Sequence, residues 1–168
     1  MKWIKYIDGI SEWTGIAAAW LVVPLTLVVV YEVVMRDFFN LPSKWGYDVC
    51  WMLYGAMFMI GGAYTLRHKG HVRIDIVYNV MSPRIRQIFD FVVYVVFFLF
   101  VSIVFTWDGI KFAANAWIVG EKLSTSTWLF PSGIIKTVIP VAYFLLTLQS
   151  LAELIRSLSS LRKGEIKE

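Results

Sequence analysis

Few side chains in this sequence have the type and spacing to carry chemistry. Its two histidines, His68 and His71, form with Asp75 the pattern H-x2-H-x3-D, a spacing that can hold a metal ion. Basic residues interleave with the three, and no fourth ligand is evident. We therefore predict no metal site and no bound cofactor. The two histidines also lie too close together in one connecting segment to be axial ligands of a haem inside a bilayer.

Two carboxylates, Glu32 and Asp48, lie at the edges of apolar runs. A carboxylate at membrane depth is costly and is a functional candidate, but each has a structural explanation here. Glu32 precedes Arg36 by four residues and can pair with it on one helix face. Asp48 lies in the first turn of a predicted helix, where a negative charge interacts favourably with the helix dipole. The apolar runs contain no acid at mid-span, which argues against a chain that moves protons itself.

The composition indicates an integral membrane protein. Of 168 residues, 58% are hydrophobic and 17% are charged, whereas soluble domains have roughly 45–50% apolar and about 25% charged residues. This balance excludes a disordered chain and a disulfide-rich secreted module. Cys50 is the only cysteine, so neither an internal disulfide nor a dithiol enzyme is possible.

Charge-free runs predict four transmembrane helices. A spanning helix needs roughly 20 mainly apolar residues. We place the four spans at residues 13–35, 47–67, 86–108 and 133–156, followed by a tail at 157–168. The fold prediction is therefore an all-α integral membrane protein with one membrane domain, 1–168. The first span is expected to remain uncleaved, because its apolar stretch is too long for a signal peptide.

The basic residues predict the orientation. Most of the 16 Lys and Arg residues fall before the first span, between the second and third spans, or in the tail. The positive-inside rule then places both termini in the cytoplasm. The net charge of +4 reflects this bias and attraction to lipid, not binding to nucleic acid. The predicted lipid headgroup contacts are Arg67, Lys69, Arg84 and Arg86.

The outward segment 109–132 has two open interpretations. Its early part has a loosely helical apolar spacing, so it either continues the third helix or lies along the membrane surface. It either contacts a periplasmic partner or simply covers the bundle. The uncharged run at 123–135 is rich in Ser and Thr and fits a loop better than a fifth span.

Small residues in the second span predict a close helix contact, since they let helix backbones approach. These residues are Gly55, Ala56, Gly62 and Ala63. Gly55 and Gly62 are seven residues apart and share a face, but spacing does not say whether the contact is internal or with another chain. Three uncharged polar residues can hydrogen-bond across helices: Asn115, Thr137 and Gln149.

Two motifs resemble a known family. The run VMRDFFNLPSKW at 34–45, followed by Asp48, resembles the first outer segment of the small membrane subunit of tripartite ATP-independent periplasmic (TRAP) transporters. The run GGAYTLRHKGHVRID at 61–75 is similar to the segment after the second span in that family. Asp48 stands where the family usually has Glu, and Gly-Gly at 61–62 where it often has Gly-Ala. The motif residues for which the resemblance implies structural roles are Arg36, Trp45, Asp48, His71, Arg73 and Asp75.

The resemblance, which covers about residues 13–156, implies a division of labour. In such transporters a large membrane subunit carries the substrate and sodium sites and moves as an elevator. A soluble periplasmic binding protein delivers the substrate, commonly a small organic acid. The small subunit binds the large one in the bacterial or archaeal inner membrane, enlarges the stationary scaffold, and catalyses nothing. We expect that role here.

Two other classes stay open at this point. A stand-alone, homo-oligomeric transporter or channel would need a ring of polar residues at mid-depth. A membrane anchor of a redox enzyme would bind haem or quinone.

Overall fold

The computed structural model describes residues 2–68, 82–123 and 128–163. The helices are α1 (Lys2–Trp20), α2 (Val22–Asp37), α3 (Gly46–Arg67), α4 (Pro83–Val93), a π-helical segment (Tyr94–Phe100), α5 (Val101–Val119) and α6 (Ser132–Lys163). Within the described ranges, extended backbone pairing is limited to one isolated antiparallel bridge between Lys122 and Pro131. The all-α prediction is confirmed.

Four helical stretches are long and apolar enough to cross a membrane: 3–37, 46–67, 91–119 and 132–159. This confirms the number of spans, and three of the four helices extend beyond the predicted spans. The first helix begins about ten residues early, the third runs on to Val119, and α6 continues through the predicted tail to Lys163. Charge-free runs mark only the part of a helix that lies in hydrocarbon, whereas the helix can continue beyond it, where charged side chains reach water or lipid headgroups.

The first span has a local irregularity at Leu21, a turn residue between α1 and α2. Pro24 is the third residue of α2 and has no N–H to donate to the preceding turn. The backbone tightens there, with the Leu21 N–H bonding the Ala18 carbonyl at 3.1 Å. Because the Leu25 N–H bonds the Leu21 carbonyl at 3.1 Å, the helix resumes at once and the span stays continuous.

The segment after the third span is helical at first, so its early part continues the third helix. α5 continues to Val119 and ends at Gly120, whose φ of +64° is the left-handed conformation that glycine adopts without steric cost. The Glu121 N–H then bonds the Ala116 carbonyl at 2.9 Å. The following chain, where described, is the predicted loop up to Ser132.

α6 is the central helix of the bundle. In its most apolar stretch 39% of the residues are buried, against 6–12% in the other three spans. Small residues allow neighbours to approach it closely. A methyl group at Gly109 would lie 3.2 Å from the Pro140 backbone nitrogen, and one at Gly133 would overlap the Trp117 indole at 2.8 Å. The buried apolar core is accordingly dominated by alanine, as expected for helices held by close backbone packing.

Candidate functional site

Opposite ends of the bundle differ in how their polar groups are satisfied. We call the end with Lys2, Arg67 and Lys163 the terminal end. The other, with the connections 38–45 and 120–131, is the loop end.

A buried polar network joins α1 to α6 at the terminal end. Arg156 donates to the carboxylates of both Asp8 and Glu153. Ser11 Oγ donates to Gln149 Oε1 at 2.8 Å, and Gln149 Nε2 donates to Glu153 Oε1 at 3.3 Å. Ser11, Gln149 and Glu153 are at most 5% exposed. Each of these buried polar groups therefore has a partner inside the chain.

A second cluster joins α1 to α3 at the same end. Arg67 donates to the Asp8 carbonyl at 2.7 Å and to the Glu12 carboxylate. His68 Nε2 lies 3.1 Å from Glu12 Oε2. Because α1 also binds α6 through Asp8, the two clusters fix three helices to one another.

The sequence analysis missed most of this network. It identified Gln149, and its prediction of hydrogen bonds across helices is confirmed there and at Thr137, whose Oγ1 accepts from Trp117 Nε1 at 3.0 Å. Asn115 is exposed and makes no such bond to any described residue. The spacing of the polar residues in α6 could have revealed the network, because residues 149, 153 and 156 lie on one face of the helix.

Glu32 does not pair with Arg36, so that predicted ion pair is wrong. Its Oε1 accepts the Ser43 N–H at 3.2 Å, and its Oε2 accepts the Ser43 hydroxyl. Ser43 Oγ in turn accepts the Gly46 N–H at 2.9 Å, so the carboxylate secures the start of α3. Arg36 instead bonds its neighbour Asp37, Nε to Oδ1 at 2.9 Å, with both side chains exposed.

An apolar groove runs along α3 at the loop end, between that helix and the end of α5, the following loop and α6. Its volume is about 720 Å³. Charged residues at its rim are Asp48, Glu121, Lys122 and Lys136. Its remaining lining residues are Tyr47, Trp51, Tyr54, Gly55, Phe58, Met59, Phe112, Leu123, Ser132, Ile135, Val138 and Ile139.

Asp48 stands out among the groove residues. It is 7% exposed, and its carboxylate has no hydrogen-bond or ion-pair partner in the described part of the chain. The nearby Glu121 and Lys136 pair with each other at 2.5 Å, and Lys136 Nζ also lies 4.0 Å from the centroid of the Phe112 ring. The groove thus contains a buried acid beside an ion pair that is already complete.

The small residues predicted to pack divide into two sets. Ala63 is fully buried inside the bundle. Gly55 and Gly62 have nothing within 4 Å of the position that a Cβ would occupy, and Gly55 lines the groove. The close internal approaches are made by other glycines: Gly15 against the Tyr64 ring, Gly109 and Gly133.

Several predicted residues cannot be placed. Lys69, His71, Arg73 and Asp75 lie outside the described residues, and of Arg84 and Arg86 only the α4 backbone is described. Arg67, predicted to contact lipid, is engaged with α1 as above. Trp45 stacks on Tyr31 with ring centroids 5.4 Å apart. No three His, Cys, Asp or Glu side chains in the described ranges come together as a metal site.

Comparison with known proteins gives two similarities. A family model described as "Tripartite ATP-independent periplasmic transporters, DctQ component" matches residues 25–160. The chain is also 28% identical over 102 residues to the sialic acid TRAP transporter permease protein SiaT of Haemophilus influenzae (strain 86-028NP). That match covers 58% of this chain but only 16% of the relative.

Proposed function

The chain belongs to the family of DctQ components of tripartite ATP-independent periplasmic transporters, and from this membership we propose that it is a small scaffold subunit. It pairs with a large membrane subunit for ion-coupled, binding-protein-dependent uptake of a small organic acid. The substrate and coupling ion bind to the large subunit, and this chain catalyses no reaction. Its location is the cytoplasmic membrane, with both termini inside.

The observation that carries the proposal is the small share of the spans that the chain buries by itself. In three of the four spans, only 6–12% of the residues in the most apolar stretch are buried inside the chain. Large aromatic side chains lie on the outside, including Trp3 at 82%, Trp13 at 78% and Phe58 at 73% exposure. Such a surface suits lipid together with another membrane protein, where packing between helices provides the attraction.

The length of the SiaT relative supports pairing with a large membrane subunit. The matched part is 16% of that protein, so most of the sialic acid TRAP transporter permease lies outside the similarity to this chain. We propose that a separate, larger membrane chain supplies the corresponding part here. Sialic acid is a carboxylic acid, which is consistent with an organic acid as the substrate class.

The positions of the polar groups favour a scaffold over a stand-alone transporter. In the described ranges, the buried carboxylates lie at the two ends of the bundle, at Asp48 and Glu153. Near mid-bundle the polar contact is between hydroxyls, with Thr147 Oγ1 donating to Ser102 Oγ at 3.0 Å. A chain that conducts ions by itself would place ionisable groups along the path.

Co-purification tests the pairing. The tagged chain is expressed with its native gene neighbourhood, extracted in mild detergent, and its bound proteins are identified by mass spectrometry. We expect a large multispanning protein in near-equal amount. Recovery of the chain alone as a stable homo-oligomer, with solute uptake when it is reconstituted alone in liposomes, would establish the rival function instead.

Orientation and substrate class need separate tests. Reporter fusions after residue 168 and within the 38–45 connection should report opposite sides of the membrane, with the C-terminus cytoplasmic. Liposomes containing the co-purified pair should take up an organic acid only when the matching binding protein and an ion gradient are present. Uptake without the binding protein would contradict the proposed tripartite mechanism.

A further inference from the structure

We infer that the groove between α3 and α6 is a binding site for one phospholipid with an ethanolamine headgroup. The ammonium binds at Asp48, the phosphate at Lys122, and an acyl chain lies along the apolar part of the groove. This inference does not depend on the proposed transport function.

The dimensions of the groove fit one lipid in one leaflet. Along α3 it extends from Tyr47 to Met59, which at 1.5 Å per residue is about 18 Å. Half of a hydrocarbon core of about 30 Å is roughly 15 Å, so the groove runs from the headgroup level to near the bilayer centre.

The apolar part of the groove is accessible from the side. Trp51, Tyr54 and Phe58 recur along one face of α3 and are 56%, 56% and 73% exposed. Gly55 lies among them and leaves open space where a side chain would stand. A chain can therefore enter laterally beside these rings and lie against α6.

The charged residues of the groove lie at the loop end and the rest of its lining is mostly apolar. The groove therefore matches a molecule with a charged head and an apolar tail. Asp48 is buried without a partner in the described chain, and an ionised group in that position requires a cationic donor to offset its lost hydration. Lys136 is already paired with Glu121. The primary ammonium of phosphatidylethanolamine supplies three donors, whereas the glycerol headgroup of phosphatidylglycerol supplies no positive charge.

The same headgroup brings a phosphate beside Lys122. Lys122 is exposed at the rim, so its ammonium is accessible to a lipid phosphate. Basic pockets between membrane helices commonly bind lipid phosphate. The mixed charge of the rim therefore matches a zwitterionic headgroup better than an anionic one.

Native mass spectrometry of the full chain, with any membrane partner it retains, tests the site. The protein is equilibrated with vesicles of phosphatidylethanolamine and phosphatidylglycerol in equal amounts and then released into mild detergent. We expect one retained phosphatidylethanolamine per chain, at least fivefold over phosphatidylglycerol. Asp48→Asn should abolish this preference and Asp48→Glu should keep it, while Asp108→Asn, an exposed carboxylate outside the groove, should change nothing.

A steric variant tests the groove independently of charge. Gly55→Leu fills the groove, whereas Gly61→Leu adds the same side chain in open space outside it. The first should lose the retained lipid at least fivefold and the second should keep it. Retention of either lipid equally, retention in Gly55→Leu, or a protein segment crosslinked into the groove in place of lipid would overturn the inference.

Discussion

At the terminal end of the bundle, buried polar side chains satisfy one another, whereas at the loop end a buried acid remains without a protein partner. Asp8, Glu153 and Arg156 form a closed set of charges across α1 and α6. Asp48 is equally secluded at 7% exposure, but beside it Lys136 is paired with Glu121. Both ends therefore pay the desolvation cost of a buried carboxylate, and only the terminal end offsets it internally.

The difference separates a structural role from a binding role. Charges that are matched inside the chain fix the helices and leave nothing for a ligand to add. A groove with an unmatched charge gains stability when a ligand of opposite charge enters. Substitutions at the terminal end should therefore affect folding, and substitutions at the loop end should affect what is bound.

The largest expected effect is loss of the shared cation at the terminal end. Arg156→Met leaves Asp8 and Glu153 without their positive partner. Breaking a fully buried pair in this way costs about 3–5 kcal/mol, and the cost here is smaller because the Arg156 side chain is 36% exposed and its charge is partly screened by solvent. We expect a clear fall in the thermal unfolding temperature of the detergent-solubilised protein. Lys136→Met at the loop end is the matched change, and an equal loss there would remove the contrast between the ends.

The next effect comes from the α1–α3 contact. Gly15→Leu forces a side chain into the Tyr64 ring, and overpacking of this kind costs roughly 1–3 kcal/mol. The unfolding temperature should fall accordingly. Gly9→Leu, in the same helix with nothing within 4 Å, is the control and should be neutral or slightly stabilising.

A smaller effect is expected from one hydrogen bond in the terminal network. Ser11→Ala removes the donor to Gln149 Oε1, and such bonds between membrane helices contribute about 0.6 kcal/mol on average. Unfolding in increasing fractions of a denaturing detergent should resolve this loss. A change as large as that of Arg156→Met would mean that the hydroxyl organises the whole network.

The smallest stability effect is expected at Gly62, an open glycine of α3 that does not line the groove. A Cβ at Gly62 would meet no atom within 4 Å, so Gly62→Leu should hardly change the unfolding temperature. Co-purification of the large subunit should nevertheless fall severalfold, because a small residue at this position would allow the two chains to approach. Full recovery of the partner with Gly62→Leu would exclude this position from the contact.

The sequence was sufficient for the number of spans because hydrophobic length is a local property. Pairing of polar residues is not local. Ser11 and Gln149 are 138 residues apart, and the sequence around each residue does not identify the other as its partner. The same limit explains Glu32: its predicted partner is Arg36, four residues further on, but folding brings Ser43 to it instead. The position of Asp48 in the first turn of α3 can be predicted from the sequence. Its burial without a partner in the described chain depends on the packing of the groove and is known only from the structure.

The π-helical segment at 94–100 gives the third span an unusual tolerance to changes in length. Such segments hold more residues per turn than an α-helix, with i to i+5 hydrogen bonding. Deleting one residue there would let the segment relax toward the α-helix, with both flanking helices unchanged in sequence. α5 contains no such extra residue. Deleting one residue within it would rotate the rest of the helix by about 100° and turn the face around Gly109 away from Pro140. Deletion of one residue in this span should therefore be tolerated at Tyr94–Phe100 and not in the stretch that packs on α6.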